Sequence, residues 1–367
     1  MYLRSLWLYF FKNYDEASIN FGSGINVFLG NNGAGKTNLL DAIHYLCLTK
    51  SAFHSSDSYT VKRNESFFSS IGVFYKNSSD YKIICGLKEE KKILTCNGVP
   101  YSKINEHIGK FPCVMIAPDQ IEIIKGGSEE RRKFIDNVIS QIDAVYLEQL
   151  IVYNKYLKAR NALLKQFVEL NYRDLTLLES YTSVLIQAGN YISQKRKEFI
   201  TQFSSIVINA YNELSGTVEQ THINHETDYI DSGWASIFDN SLADDFRACR
   251  TTKGLHQDDY VFSINGLLLR KFGSQGQQKT FLLALKLAQH RIIESFTLLK
   301  PILLLDDIFD KLDDHRINHL LNLCKNGEFG QVFITDARRD RTEALFREKN
   351  IHAQIFEIKN NIISTVS

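Results

Sequence analysis

The chain is short of proline, has no paired cysteines and no long apolar run, and carries almost no net charge. Four prolines in 367 residues, with 44% hydrophobic residues, describe a globular protein and exclude a tail or a fibre. The six cysteines (Cys47, Cys85, Cys96, Cys113, Cys249 and Cys324) form no CxxC pair and no spacing of a zinc site or disulfide framework, which fits a reducing cytoplasm. Leu6 to Phe11 (LWLYFF) is six residues long, aromatic, and ends at Lys12 and Asn13 without a small-residue cleavage site, so it reads as a buried strand and not as a signal-peptide core. No apolar stretch approaches the ~18 residues needed to span a bilayer.

The formal charge of +1 excludes a polybasic protein that holds polyanions by bulk attraction, so any such binding rests on locally sorted charge. Sorting is visible. Residues 131–200 hold 11 Lys/Arg against 7 Asp/Glu, whereas 201–250 hold 2 against 8. At roughly 150 residues per domain the length allows two domains, with no room for a coiled-coil arm of several hundred residues.

Residues 2–29 read as strands, ending in the continuous apolar segment Ile25 to Leu29. After a glycine-rich turn, Leu39, Leu40, Ile43, Leu46 and Cys47 recur at helical spacing. From 59 to 100 short alternating segments predict antiparallel strands, with Asn97 and Gly98 as a hairpin turn. From Ser128, read as an N-cap, to Leu214 the pattern is helical and free of proline, without the sustained heptads of a long coil. Strands return after about 258, followed by a helix over Gln277 to Ser295 and the apolar run PILLL.

Gly30 to Thr37 (GNNGAGKT) is a complete GxxxxGKT motif between a predicted strand and a predicted helix. Its candidate binding residues are Gly30, Asn31, Asn32, Gly33, Ala34, Gly35, Lys36 and Thr37. The glycines let successive amides turn inward toward phosphate oxygens, and the helix start adds partial positive charge. Lys36 has the reach for the β- and γ-phosphates of ATP or GTP, and the Thr37 hydroxyl is a candidate ligand of Mg²⁺. Kinases, transport motors, helicases and DNA-clamping ATPases share this loop, so it leaves the reaction open.

Ile302 to Leu305, followed by Asp306 and Asp307, is an apolar strand that delivers two carboxylates at its C-terminal end. Asp306 is the candidate Mg²⁺ ligand; Asp307, just past the strand, is the candidate for orienting the attacking water. Upstream, Ser274, Gln275, Gly276 and Gln277 open a long amphipathic helix 32 positions before Asp306. A serine and a bare glycine there make a second anion-binding end. One nucleotide does not need two helix starts from distant parts of one subunit. The economical arrangement is that Ser274, Gly276 and Gln277 face the γ-phosphate of ATP held by a second copy, as in ABC-type ATPases.

The order of P-loop, SQGQ, LLLDD and DKLDDHR (Asp310 to Arg316) resembles the ABC-type ATPase head of the SMC group. Within that group the chain is similar to the RecF family of bacterial DNA replication and repair proteins. Four further stretches carry the likeness: LWLYFFKNYDEASINF, GNNGAGKTNLLDAI, Ala117 to Asp136 (APDQIEIIKGGSEERRKFID) and GLHQDDYVF. The 238 positions between Lys36 and Ser274 fit a head with a short second lobe in place of a coiled coil. GLHQDD departs from the family pattern at Leu255 and Gln257, Gly273 precedes the signature serine, and Thr335 and Asp336 follow the strand where transporters usually hold histidine. Gln120 is a weak candidate for the Q-loop glutamine.

The resemblance implies an α/β fold: an ABC-type P-loop ATPase head with mixed sheets and an inserted, mainly helical second lobe. We expect the N-terminal half of the head at 1–125, the lobe at 126–240, and the C-terminal half with the signature and Walker B strand at 241–367. It further implies a weak, DNA-stimulated ATPase with ATP and Mg²⁺ as cofactors. Lys36, Asp307 and Ser274 would take the catalytic roles, and Thr37 and Asp306 the metal. Two copies would sandwich ATP on single-stranded, gapped or junction DNA, with Ser274 and the Asp310 to Asp313 loop acting in trans and hydrolysis timing release. RecO- and RecR-type mediators, recombinase loading, SOS induction and a cytoplasmic location without membrane contact follow from the same likeness. The alternatives are an ABC transporter motor subunit and a P-loop small-molecule kinase.

Some features stay outside that reading. His222 with His225, and His315 with His319, have metal-compatible spacing but no third ligand of matching context. The triplets Arg131 to Lys133 and Lys195 to Lys197, like Arg338, Arg339 and Arg341, read more often as solvated helix faces than as contacts to DNA phosphates, with the +4 balance of 131–200 tilting the two triplets slightly toward contact.

Overall fold

The computed structural model describes residues 1–170, 173–216, 219–310 and 313–366. It divides into two compact units, Met1–Gln120 with Leu283–Ser367, and Ile121–Leu282.

The first unit opens with β1 (Tyr2–Phe11), β2 (Tyr14–Asn20), β3 (Ile25–Leu29) and α1 (Lys36–Leu48), then β4 (Phe67–Lys76), β5 (Ser79–Lys88), β6 (Lys91–Cys96), β7 (Val99–Pro100) and β8 (Cys113–Ile116). Six of these strands build an antiparallel sheet in the order β2-β1-β4-β5-β6-β7. Three of its hairpins turn on two residues with positive φ: Asn77 and Ser78, Glu89 and Glu90, and Asn97 and Gly98. That conformation matches the right-handed twist of the strands it joins. LWLYFF is buried on one face only: Leu6, Leu8 and Phe11 are inside, while Trp7, Tyr9 and Phe10 are half-exposed.

The second unit holds α2 (Glu122–Lys125), α3 (Ser128–Ile142), α4 (Ala144–Leu170), α5 (Leu175–Ser215), β9 (Thr221–Glu226), α6 (Ala235–Ala248), β10 (Asp259–Ile264), β11 (Leu267–Leu268) and α7 (Leu269–Phe272). α8 (Gln275–Thr297) runs through the point of division. Ser128 is the first residue of α3 and not its cap; Gly127 holds the cap position without a side-chain bond. The unit reaches from 121 to 282, wider than the expected 126–240, because β9 pairs antiparallel with β10 and α5 packs on β9. Ser274 and the first turns of α8 therefore belong with the helices.

The chain returns to the first unit with β12 (Ile302–Leu305), α9 (Asp314–Lys325), β13 (Val332–Asp336), α10 (Arg339–Lys349), β14 (Ala353–Lys359) and β15 (Ile362–Val366). The second large sheet runs β15-β14-β3-β13-β12-β8, parallel except for the edge strand β15. INVFL, CVMI and ILLL are the near-continuous apolar runs that a sheet covered on both faces demands.

Helix α1 is buried almost all round, with eleven of its thirteen residues inside. Leu39, Leu40, Ile43 and Leu46 share one core with Leu6, Leu8 and Phe68 of the antiparallel sheet and Phe28, Leu304 and Phe333 of the parallel one. At about 1.5–3 kcal/mol per fully buried large apolar side chain, this core fixes the start of α1 against the ends of the parallel strands. Among the described residues no helix is long and apolar enough to cross a membrane.

One arginine of each basic triplet serves as internal structure, while Lys133, Lys195 and Lys197 stay at the surface. Arg131 and Arg196 are each 2% exposed. Arg196 donates to both Asp136 oxygens at 2.8 and 3.0 Å and to Asp258 at 2.7 Å, while Arg131 forks onto Asp259 at 2.7 and 2.9 Å. Arg132 donates to the Asp258 carbonyl, Lys133 pairs with Glu129 and Glu130, and Lys195 and Lys197 pair with Glu198 and Asp231. The tilt toward phosphate contact is thus corrected for Arg131 and Arg196, whose guanidinium groups face carboxylates inside the unit. GLHQDD gains a role here, since its Asp258 and Asp259 receive α3 and α5, and the Leu255 amide donates to Tyr153 on α4.

Candidate functional site

The loop between β3 and α1 has the shape of a phosphate cradle. Gly35, at the cap of α1, has φ of 104°. A Cβ there would lie 2.6 Å from Asn13 Nδ2 and 2.7 Å from the Tyr14 hydroxyl, so backbone conformation and space both require glycine. At Gly30 a Cβ would run into the Ile358 carbonyl oxygen of β14. Beneath the loop Tyr14 donates to the Gly35 carbonyl at 3.1 Å, and Asn38 donates to Asn13, which is bonded in turn to Asn361. Asn13, Tyr14, Asn38 and Asn361 escape sequence reasoning, because isolated polar residues in a strand end, a helix and a C-terminal turn carry no shared pattern.

No side chain caps α1 and its first turn holds no acid. Its positive end is left to attract an anion. Lys36 is buried, and its ammonium group donates to the Gly30 and Asn31 carbonyls at 2.9 and 3.1 Å, which stretches it across the loop.

The end of β12 meets this loop. Thr37 Oγ1 lies 2.9 and 3.1 Å from the two carboxylate oxygens of Asp306, and Thr335 at the end of β13 donates to the same carboxylate at 2.8 Å. Thr335 also accepts from the Asp307 amide at 2.9 Å. Thr335, noted in the sequence only as a departure from transporters, thereby ties both acids to β13. Asp307 has φ of 44°, a left-handed conformation that costs a non-glycine residue on the order of 1 kcal/mol or more and turns it away from the strand.

Burial pushes the Asp306 carboxyl above its ordinary pKa; the hydrogen bonds from Thr335 and Thr37 oppose this, and Asp307 adds to it. A divalent cation would offset that cost. Thr37 and Asp306 fit Mg²⁺: two hard oxygens side by side leave the remaining positions to water and phosphate. Among the described residues no group of three or more His, Cys, Asp or Glu could form an all-protein cage. His225 instead stacks on Tyr260 and lies 3.3 Å from Asp258.

The structure brings Gly30 to Thr37, Asp306 and Asp307 together in the first unit. Ser274, Gly276 and Gln277 lie in the second. There the Ser274 amide donates to Gln277 Oε1 at 2.8 Å, and the Gln277 amide donates to Ser274 Oγ at 3.2 Å. Gln120, the weak Q-loop candidate, accepts from the Ala117 amide at 3.3 Å and so bonds its own turn. In the Asp310 to Asp313 loop, Lys311 and Leu312 lie outside the described residues, while Asp313 caps α9 by accepting from the Arg316 amide. Arg341 donates to the Phe309 carbonyl and Arg339 pairs with Glu343.

Residues 2–363 match the family model for the RecF/RecN/SMC N-terminal domain. DNA replication and repair protein RecF of Cytophaga hutchinsonii is 44% identical over 98% of this chain and 95% of its own. RecF of Flavobacterium johnsoniae is 41% identical over 98% of this chain and all of its own. Among solved structures, the recombination mediator protein RecF-ATP in the RecFOR pathway superposes with a TM-score of 0.89 at 31% identity, covering 100% of this chain and 98% of that one. An Smc head domain from Pyrococcus furiosus, with a TM-score of 0.55 at 19% identity over 100% of this chain and 96% of that one, shares the fold.

Proposed function

The chain belongs to the RecF family of the RecF/RecN/SMC group, and on that footing we propose that it is an ATP-dependent DNA-binding protein of recombinational repair and replication-gap processing. The observation that carries this is the meeting of Thr37 with Asp306 beside the Lys36 cradle, in a chain that follows ATP-associated RecF relatives from end to end.

In this reading Gly30, Asn31, Asn32, Gly33, Ala34 and Gly35 wrap the phosphates with backbone amides, and Lys36 neutralises the β- and γ-oxygens. Thr37 and Asp306 hold Mg²⁺, which when bound screens charge on the phosphates. Asp307 orients and polarises the attacking water. Ser274, with Gly276 and Gln277, meets the terminal phosphate of the nucleotide held by a second copy. Two copies thereby close on single-stranded, gapped or junction DNA, and slow hydrolysis opens them. RecO- and RecR-type mediators act with the closed form in recombinase loading and SOS induction, in the cytoplasm. A transporter motor is disfavoured by Thr335, whose side chain is bonded to Asp306, and a small-molecule kinase by the signature serine.

Sedimentation velocity of the chain with and without ATP and gapped DNA tests this. An ATP-dependent dimer that DNA stabilises is expected, with DNA affinity falling by roughly 0.7 to 0.9 log units per log unit of salt for each phosphate contact. Lys36→Met should lose hydrolysis and dimer together. A monomer under all conditions, or a salt-insensitive complex, would refute the clamp.

A further inference from the structure

The signature helix is held by more than its own turn. Ser274 and Gln277 exchange two hydrogen bonds, amide to Oε1 and amide to Oγ, a reciprocal cap of the first turn of α8. Such caps commonly use a glutamate, whose two oxygens are equivalent. Here the third helical position is a glutamine, whose two ends are not. Only Oε1 can accept from the Ser274 amide, so Nε2 must find an acceptor elsewhere.

Glu219 supplies it. Gln277 Nε2 donates to Glu219 Oε1 at 2.7 Å. The other Glu219 oxygen accepts from the Tyr211 hydroxyl near the C-terminal end of α5. The next residue is pinned as well: the Gln220 amide donates to Asn265 Oδ1 at 3.0 Å and the Asn265 amide to the Gln220 carbonyl at 2.8 Å. The carboxylate therefore stands at a fixed place beside β9 and β10, and its acceptor oxygen decides which way the Gln277 amide faces. With the amide turned over, two N–H donors would confront each other at Ser274.

We propose that Glu219 is a positioning residue for the signature serine: by fixing the Gln277 carboxamide it keeps Ser274 Oγ engaged as an acceptor, so that the hydroxyl hydrogen is left to donate to the terminal phosphate of a nucleotide on a second copy. The inference rests on the sandwich reading above and adds a residue that no motif marks, 55 positions upstream of the serine.

The test compares Glu219→Ala with Glu219→Gln. A glutamine at 219 can still present Oε1 to Gln277, and the Tyr211 hydroxyl can rotate to accept from its amide. Glu219→Ala should weaken ATP-dependent dimerisation roughly tenfold to thirtyfold, the loss of about one cap interaction at each of two signature helices. Monomer affinity for a fluorescent ATP analogue should stay within about twofold, as expected when only an intersubunit contact is touched. Glu219→Gln should restore most of the loss. Without nucleotide, amide exchange in peptides covering 270–282 should quicken in Glu219→Ala and recover in Glu219→Gln, a readout that needs no dimer.

If Glu219→Ala dimerises as the unaltered chain does, or Glu219→Gln falls as far, the role is overturned. Ser274→Arg separates the two levels. Should Ser274→Arg block the dimer while Glu219→Ala leaves it intact, Glu219 alone is misassigned. Should Ser274→Arg dimerise normally, the sandwich itself is wrong and this inference falls with it.

Discussion

Thr37 and Asp306 stand 269 positions apart in the chain, yet the threonine hydroxyl sits between the two oxygens of the aspartate at 2.9 and 3.1 Å. A helix start and a strand end are each common; a hydroxyl and a partly desolvated carboxylate in register are what a nucleotide-borne Mg²⁺ needs. Thr37→Val keeps shape and removes the hydroxyl. The Mg²⁺ concentration that half-saturates ATP hydrolysis should rise by roughly tenfold to a hundredfold, the range seen when ligand-sphere groups are lost. An unshifted Mg²⁺ titration would reject Thr37 as a ligand.

Asp307 leaves the strand in a left-handed conformation, held by its amide bond to Thr335. Asp307→Asn keeps the size and that backbone bond but removes the negative charge that would polarise water. Turnover should fall by roughly a hundredfold or more, in the range of a lost general base. The ATP-bound dimer should persist for longer in sedimentation runs. A variant that stays monomeric with ATP would contradict the trans arrangement.

Arg196 is buried between Asp136 and Asp258. Arg196→Met would leave the buried Asp258 carboxylate and the half-buried Asp136 without their cation, and such a break in a buried pair costs about 3–5 kcal/mol. Urea unfolding should show the midpoint falling with little change in slope. If it falls by no more than a surface substitution would produce, the network is not holding α3 and α5 to the loop before β10.

Acid should weaken the fold through His107 and His290. Burial is the main force lowering each of them from 6.5 to about 4, aided at His107 by Lys110 and at His290 by Lys300 and Arg291. Each ring donates Nε2–H to a backbone carbonyl, of Leu46 and Pro301 respectively, as the neutral form allows. Between those pH values the unfolded chain binds the proton more readily, so stability rises with pH across the window. It is complete above about 6.5 and lost progressively down to about 4, on the order of 3 kcal/mol per histidine at most. Urea midpoints at pH 7.5 and pH 5 should differ, and replacing both histidines by glutamine should shrink the difference. An unchanged difference would place the acid sensitivity elsewhere.

Local pattern explains which of these features could be read in advance. Ile25 to Leu29, the GNNGAGKT loop and Ile302 to Asp307 each carry their geometry in a short window, because strand burial, positive φ and helix start depend on neighbours a few residues away. The Asn97-Gly98 turn was legible for the same reason; Glu89-Glu90 adopts the same conformation without the composition that advertises it. The triplets around Arg132 and Arg196 misled in part, since a run of charge does not say which member points inward. Asp259 settles that for Arg131 from 128 positions away, and Asp136 and Asp258 settle it for Arg196 from 60 and 62.

The sequence alone determined that this chain carries a phosphate loop, a serine-tipped helix and a carboxylate-ended strand in the order of an ABC-type head, because each is a matter of residue type and near spacing. Tertiary structure alone decided that Thr335 ties both acids to β13, that Asn13, Tyr14 and Asn361 support the loop, and that Glu219 turns the Gln277 amide toward Ser274. Hydrogen bonds between single polar side chains from remote segments exist only once burial has brought those segments together, and no periodicity in the chain records them.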